Sequence, residues 1–344
     1  MGVIENRIDI TELERSGGGG GGGTAASVSY DNTSSGLTAT TVQGAIDEVV
    51  AESAGKDQIS NRNLLDNPFF TVNQRDLTSY TTNGYTVDRW SVNNGITCGV
   101  TDGGITITHP DNTTNANFLQ YYESDRLKDV VGKKVTVSVM TSDGTIYKQT
   151  GEVPTIESES KVVTRFTLGE TDFSCDLIIR LTKPFITIYS STANATISIK
   201  AIKLEIGSVS TLDMDAAPNY AEELLKCQRY FQRLTTMPGR SYAPIGTGIV
   251  ASNTGVRLFV PLIAPLRGVP SVSFNTDEGK IDLFGADTSN RIPVTNITFN
   301  QFGNNSIILT ITVESLQSYI EIGDACECWI MNSTAAYIDL SADL

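Results

Sequence analysis

Catalysis needs a constellation of groups, and few residue types in this chain could supply one. There is a single histidine, His109, which removes most nucleophile–base triads and most zinc sites. The seven glycines Gly17–Gly23 precede no strand–helix phosphate cradle, and no dinucleotide fingerprint follows them. Cys326 and Cys328 form a C-x-C pair, which on a strand puts both on one face. No partner base or third ligand stands near them, and two buried thiols explain the pair as well, because free cysteine packs as a small hydrophobe. Glycoside cleavage needs two carboxyl groups facing each other across a cleft. Glu157 and Glu159 share a face if extended, but "PTIESESK" reads as an exposed loop. The acids and amides of "TDEGKIDLFGADTSN" could hold calcium, yet the EF-hand spacing is missing and solvated turns account for them. The expectation is a chain with no catalytic residue, no metal and no cofactor.

Binding asks for less. A glycan site needs aromatic platforms beside hydrogen-bonding amides or acids in a concave surface. Tyr80, Tyr85, Tyr121 and Tyr122 are the available rings in the sandwich, with Asn83 and Asn117 close to them in sequence. Tyr121 and Tyr122 are adjacent, so on a strand one faces in and the other out. The competing reading is that these rings pack the core or its lip. Phe69, Phe70 and Trp90 are assigned to the core, with Asp88 and Arg89 expected as a structural pair under the sandwich edge.

The elements that must position such residues are mostly strands. Over 344 residues the charged content is 19% and the apolar content 40%, a globular composition rather than a disordered one. The net charge of −14 argues against nucleic acid and against anionic membrane surfaces, and is compatible with neutral glycans. The longest near-apolar stretch, Val256–Leu266, is broken by Arg257, Pro261 and Pro265, so no membrane insertion is expected. The first sixteen residues lack the apolar centre of a secretion signal, so none is expected, and five scattered cysteines read as free thiols fit synthesis in a reducing cytosol.

From residue 61 to 209, alternating runs such as "KKVTVSVM", "CDLIIRL" and "FITIYS" recur between Gly/Asn/Asp turns, the pattern of a β-sandwich. In "ATISIKAIKLEI" the apolar phase slips by one residue, which predicts a β-bulge near Ala201–Ile202. Residues 218–236 read as a connecting helix with Leu224, Leu225, Cys227, Tyr230, Phe231 and Leu234 on its apolar side. Residues 238–344 read as a second, sandwich-like β-domain closed by the apolar strand in "AAYIDLSADL".

Upstream lies a different kind of unit. "SVSYDN" alternates like a strand, and Thr40 or Thr41 then caps a helix from about Val42 to Glu52. Val42, Ala45, Ile46 and Val49 form its stripe. Residues 27–56 are too few to bury that stripe alone, and packing several copies together solves the problem. Residues 17–26 form a flexible coil whose glycine run spans about 13–16 Å. Residues 1–16 carry Ile4 and Ile8 as an i, i+4 pair, with Ile10 and Leu13 in a short heptad frame. A helix this short is marginal in water and orders only on docking.

Three segments resemble known proteins. "V-YDNT-SGLTATTVQGAIDEV" resembles a short module of bacteriophage fibre and other virion structural proteins, where it commonly trimerises. "NLLDNPFFTVNQR…YTVDRW", "FLQYYESDRLKDVVGKKVTVSVM" and "IKLEIGSVST" resemble the start, middle and end of the jelly-roll, carbohydrate-binding-module-like domains of phage tail proteins. "YAEELLKCQRYFQR" resembles the helix that follows those domains. The resemblance implies a mainly β, homotrimeric tail or head fibre. Residues 1–16 would be held by a capsid, collar or tail protein. The site of action would be the virion surface and the partner a host-surface glycan. A head fibre or collar decoration with a purely structural role remains the alternative, and a polysaccharide-degrading enzyme the third.

Overall fold

The computed structural model describes residues 24–55, 61–111, 116–123, 126, 130–155, 159–180, 182–216, 218–285, 291–316 and 320–343. It divides into two units, residues 1–59 and 60–344. The expected attachment peptide, with Ile4, Ile8, Ile10 and Leu13, and the glycines 17–23 lie outside the described residues.

In the first unit, α1 runs Val42–Gly55. Thr41 caps it: its hydroxyl accepts from the Gly44 N–H at 3.1 Å. A Cβ on Gly44 would stand 3.0 Å from that hydroxyl, so glycine lets the cap close. The expected strand in "SVSYDN" is reduced to one bridge, Ser29–Thr41. Instead, Glu48 reaches back from the helix and takes the N–H of Thr38 on both oxygens, at 2.8 and 2.9 Å, and that of Ala39 at 2.7 Å. The Thr38 N–H is the main reason the carboxyl sits below its ordinary 4.5. A lowered carboxylate stabilises the fold above its unfolded pKa, and the contribution is lost as pH falls through the folded value. Acidification below 4.5 should therefore release the loop. The Thr38 and Ala39 amide resonances should move together there, and Glu48→Gln should abolish the transition. Amides that stay fixed in wild type would refute the tether. Along the stripe, Ala45 is buried and Val42 half-buried, while Ile46 and Val49 stay 51% and 49% exposed.

The second unit opens with a two-sheet sandwich. One sheet has the order β1 (Ser79–Tyr80), β4 (Thr97–Thr101), β5 (Gly104–Thr108), β12 (Thr196–Ile206), β7 (Lys134–Thr141) and β8 (Ile146–Glu152). The other has the order β2 (Gly84–Tyr85), β3 (Ser91–Asn93), β6 (Ala116–Tyr121), β11 (Phe185–Ser190), β10 (Phe173–Ile179) and β9 (Lys161–Thr167). Inward residues alternate as the period of a strand requires: Val135, Val137 and Val139 on β7, and Cys175, Leu177 and Ile179 on β10. Where β8 and β9 pass, a Cβ on Gly151 would lie 2.2 Å from the Val163 carbonyl oxygen, so only glycine fits. The register slips between Ile199 and Ala201, one residue before the expected bulge, leaving Lys200 exposed.

At the centre Trp90 stacks on Phe118 at 4.9 Å, and Phe70 tilts against both. The indole N–H donates to the Asn67 carbonyl at 3.0 Å. Phe69 is only half-buried.

The C-terminal region departs from expectation. The connecting helix is shorter than 218–236: α2 covers Tyr220–Gln228, capped by Asn219, and β13 (Phe231–Thr235) follows as a strand. Leu225, expected on the apolar side, is 49% exposed. Phe231 and Leu234 leave the helix because β13 pairs with β21 (Tyr337–Ser341), which also pairs with β16 (Ser271–Asn275). The remaining strands close a barrel rather than a sandwich: β14 (Tyr242–Ser252), β15 (Gly255–Pro261), β19 (Ser306–Val313), β18 (Arg291–Phe302), β17 (Ile281–Phe284) and β20 (Ala325–Met331). Each presents one apolar face, and closure buries all six while leaving no edge. Cys326 and Cys328 share the inner face of β20, and burial pushes the Cys326 thiol up to about 11.

Charged groups fasten the sandwich to the C-terminal region. The buried Arg89 guanidinium lies 3.4 Å from the Tyr230 ring centroid. It bonds Asp66 at 3.2 Å and the Tyr121 carbonyl at 2.9 Å, and stands 3.8 Å from Asp343. The expected Asp88–Arg89 pair does not form. Asp88 accepts instead from the Gln74 backbone and amide N–H groups, at 2.6 and 2.7 Å. Arg75 bonds Asp343 at 3.0 Å and covers the Phe231 ring at 3.8 Å. A second buried cation, Lys203 on β12, bonds Thr211 at 2.9 Å and Asp215 at 2.6 Å. Beside it Glu205 accepts from the N–H and hydroxyl of Thr211. These two side chains point away from the sandwich core, under the segment 210–215.

Candidate functional site

Three neighbouring strands of the second sheet carry an unusual outer face. Because successive side chains alternate, Asn117, Leu119 and Tyr121 of β6 point away from the core, as do Phe185, Thr187 and Tyr189 of β11 and Asp176 and Ile178 of β10. The register sets them side by side: Phe185 opposite Tyr121, Thr187 opposite Leu119 and opposite Asp176, and Tyr189 opposite Asn117. With Asn93, Arg165 and Arg180 they line a groove of about 490 Å³.

The groove has an aromatic end and a polar end. Tyr121 and Phe185 meet edge to face, centroids 5.9 Å apart, both half-buried. Arg180 lies 4.9 Å from the Phe185 ring centroid, and the Lys183 ammonium 5.6 Å from that of Tyr121. Arg180 is steadied by its Nε–H, which donates to the Lys183 carbonyl at 2.8 Å. Further along, the buried Asp176 takes Arg165 through Nε at 3.1 Å and Nη2 at 2.6 Å. This bond is the main reason the Arg165 guanidinium is pushed further up from its already high value. Burial, and then the Asp176 charge, raises the Tyr189 phenol. An amide ladder completes the floor: Asn117 Nδ2 donates to Asn93 Oδ1 at 3.2 Å, and the Thr187 hydroxyl to Asn117 Oδ1 at 3.2 Å. The arrangement offers ring faces, fixed donors and a fixed carboxylate, the chemistry of hydroxyl recognition. Among the described residues no cluster of three His, Cys, Asp or Glu side chains could hold a metal ion.

The sequence-predicted rings fare unequally. Tyr121 lines the groove, and Tyr122 faces the core, as their adjacency requires. Tyr80 is 5% exposed and its hydroxyl bonds Asn73, so it belongs to the core and offers no ring face. Tyr85 is half-buried beneath the Arg75 guanidinium, 5.6 Å away, and does not line the groove. Asn83 is exposed, and its side chain accepts from the Gly95 N–H at 3.1 Å, which makes it a turn staple. Arg165, Asp176, Arg180, Phe185, Thr187 and Tyr189 were missed. For all but Arg165, which lies in "KVVTRFTL", the signal is the polar and aromatic phase of "CDLIIR" and "FITIYS", opposite the apolar phase that marks those runs as strands.

No family model matches the chain, and no curated protein does. Among solved structures it matches the N-terminal CBM22-1–CBM22-2 tandem domain from Paenibacillus barcinonensis Xyn10C. The match is 11% identical, covers 83% of this chain and 98% of that one, and has a TM-score of 0.22. At that score the likeness carries no weight for fold or ligand, and the groove is read from its own residues.

Proposed function

We propose that the chain is a non-catalytic attachment protein of a bacteriophage virion, a trimeric fibre that holds a host-surface glycan in the groove of its sandwich. The observation that carries the glycan reading is the groove itself: an aromatic pair beside a fixed amide ladder and a fixed Arg165–Asp176 pair on one sheet face. The fibre reading rests on the resemblance of residues 28–50 to virion modules. The exposure of Ile46 and Val49 supports it, since an isolated helix gains by covering such a stripe. Three linked copies turn a weak contact into useful avidity. Residues 1–16 would engage a capsid, collar or tail protein, in a particle assembled in the bacterial cytoplasm.

A glycan array with the full chain should show binding, and Tyr121→Ala with Phe185→Ala should weaken it at least about tenfold, equivalent to ~1.4 kcal/mol. Both rings are half-buried on the outer face, so the thermal midpoint should move little. Light scattering should give three times the chain mass of 37.0 kDa. An array with no binder refutes the glycan reading; a monomer refutes the fibre.

A further inference from the structure

The groove is positive in a strongly negative chain. Arg165, Arg180 and Lys183 stand in or beside it, and the one carboxylate lining it among the described residues, Asp176, is already taken by Arg165. Arg180 uses only its Nε–H, toward the Lys183 carbonyl, and among the described residues neither Arg180 nor Lys183 meets a carboxylate. Arg165 keeps 61% of its side chain exposed despite its bond to Asp176. Three cations against one anion leave a local excess of positive charge, while the whole chain carries −14.

A cation resting on a ring face is held by the ring's quadrupole at fixed height. Here two are held so, over adjoining rings: Arg180 on Phe185 and Lys183 on Tyr121. A sugar lying on the Tyr121–Phe185 pair therefore lies between two charges that no described carboxylate neutralises. The guanidinium offers a planar fork that matches carboxylate or phosphate, and the ammonium a compact point charge. Distant acidic residues oppose an anionic ligand weakly, because charges beyond about 8 Å are screened at physiological salt. Within the groove the near cations prevail.

Resting on the glycan-binding reading, we infer that this groove selects an acidic saccharide, whose anionic substituent is taken by Arg180 and Lys183 while its ring stacks on Tyr121 and Phe185. The full chain is titrated with an oligogalacturonate, the same oligosaccharide after carboxyl reduction, and a phosphorylated mannan fragment; an array of neutral and acidic glycans is run alongside. At least one charged probe should bind about tenfold tighter than the reduced one, and that preference should fade between about 50 and 500 mM salt. The uronate and phosphate arms tell which anion is read. Arg180→Gln with Lys183→Gln should erase the preference, so that the charged and reduced probes bind alike. Equal or tighter binding of the reduced probe overturns the inference but spares the glycan reading. So does a preference that survives the double variant. An array silent for neutral and acidic glycans alike overturns both.

Discussion

Arg89→Met should lower the unfolding free energy by about 3–5 kcal/mol, the cost of stripping one partner from a buried ion pair. The guanidinium is almost wholly buried and does four things at once. It bonds Asp66, donates to the Tyr121 carbonyl, lies over the Tyr230 ring and faces Asp343 across 3.8 Å. Methionine fills much of the same volume but leaves Asp66 with Arg126, at 3.1 Å, and Asp343 with Arg75, at 3.0 Å, and the Ser341 hydroxyl, at 3.1 Å. Burial already pushes the Asp343 carboxyl up, chiefly by desolvation, so losing a cation should push it further. Arg89→Lys keeps the charge without the planar fork and should recover only part of the loss. Denaturant unfolding with both variants decides the matter. A loss under about 1 kcal/mol for Arg89→Met would show that Arg75 and Arg126 suffice.

Lys203→Met should cost a similar amount for a different reason. Its ammonium is completely buried on the outer side of β12, with Asp215 at 2.6 Å and Glu205 at 3.9 Å. Removing it takes the ammonium from both Glu205 and Asp215, and it takes one bond from the Thr211 hydroxyl, which still donates to Glu205. The loss should be about 3–5 kcal/mol. The triple variant Lys203→Met, Glu205→Gln, Asp215→Asn should recover much of it, since neutral polar groups tolerate burial better than unpaired ions. A triple variant no better than the single one would show that packing, not charge, is what Lys203 supplies.

The strands of the sandwich were legible because period-2 alternation reports which side chains face in. The phase slip in "ATISIKAIKLEI" reported the bulge, and the C-x-C of "ACECWIM" placed both thiols on one inner face. Alternation says nothing about which strands are neighbours. Closure of the six C-terminal strands into a barrel therefore could not be read. Nor could the groove, because it exists only where β6, β11 and β10 are paired. The end of α2 was hidden for a related reason: Phe231 and Leu234 fit a helical stripe as well as a strand, and pairing with β21 decided between them. "DRW" misled because Arg89 and Asp88 are adjacent in sequence yet serve opposite neighbours.

The fastening of Arg75 to Asp343 spans 268 positions of the chain. During synthesis the ribosome delivers the sandwich long before it delivers β21, the middle strand of its sheet. Until then Arg75 and Arg89 wait with their late partner missing, and a chain stopped short by a premature stop codon never receives it. That late-made stretch thus acts as a completion seal: a chain cut before it lacks both the Asp343 carboxylate and the strand that joins β13 to β16.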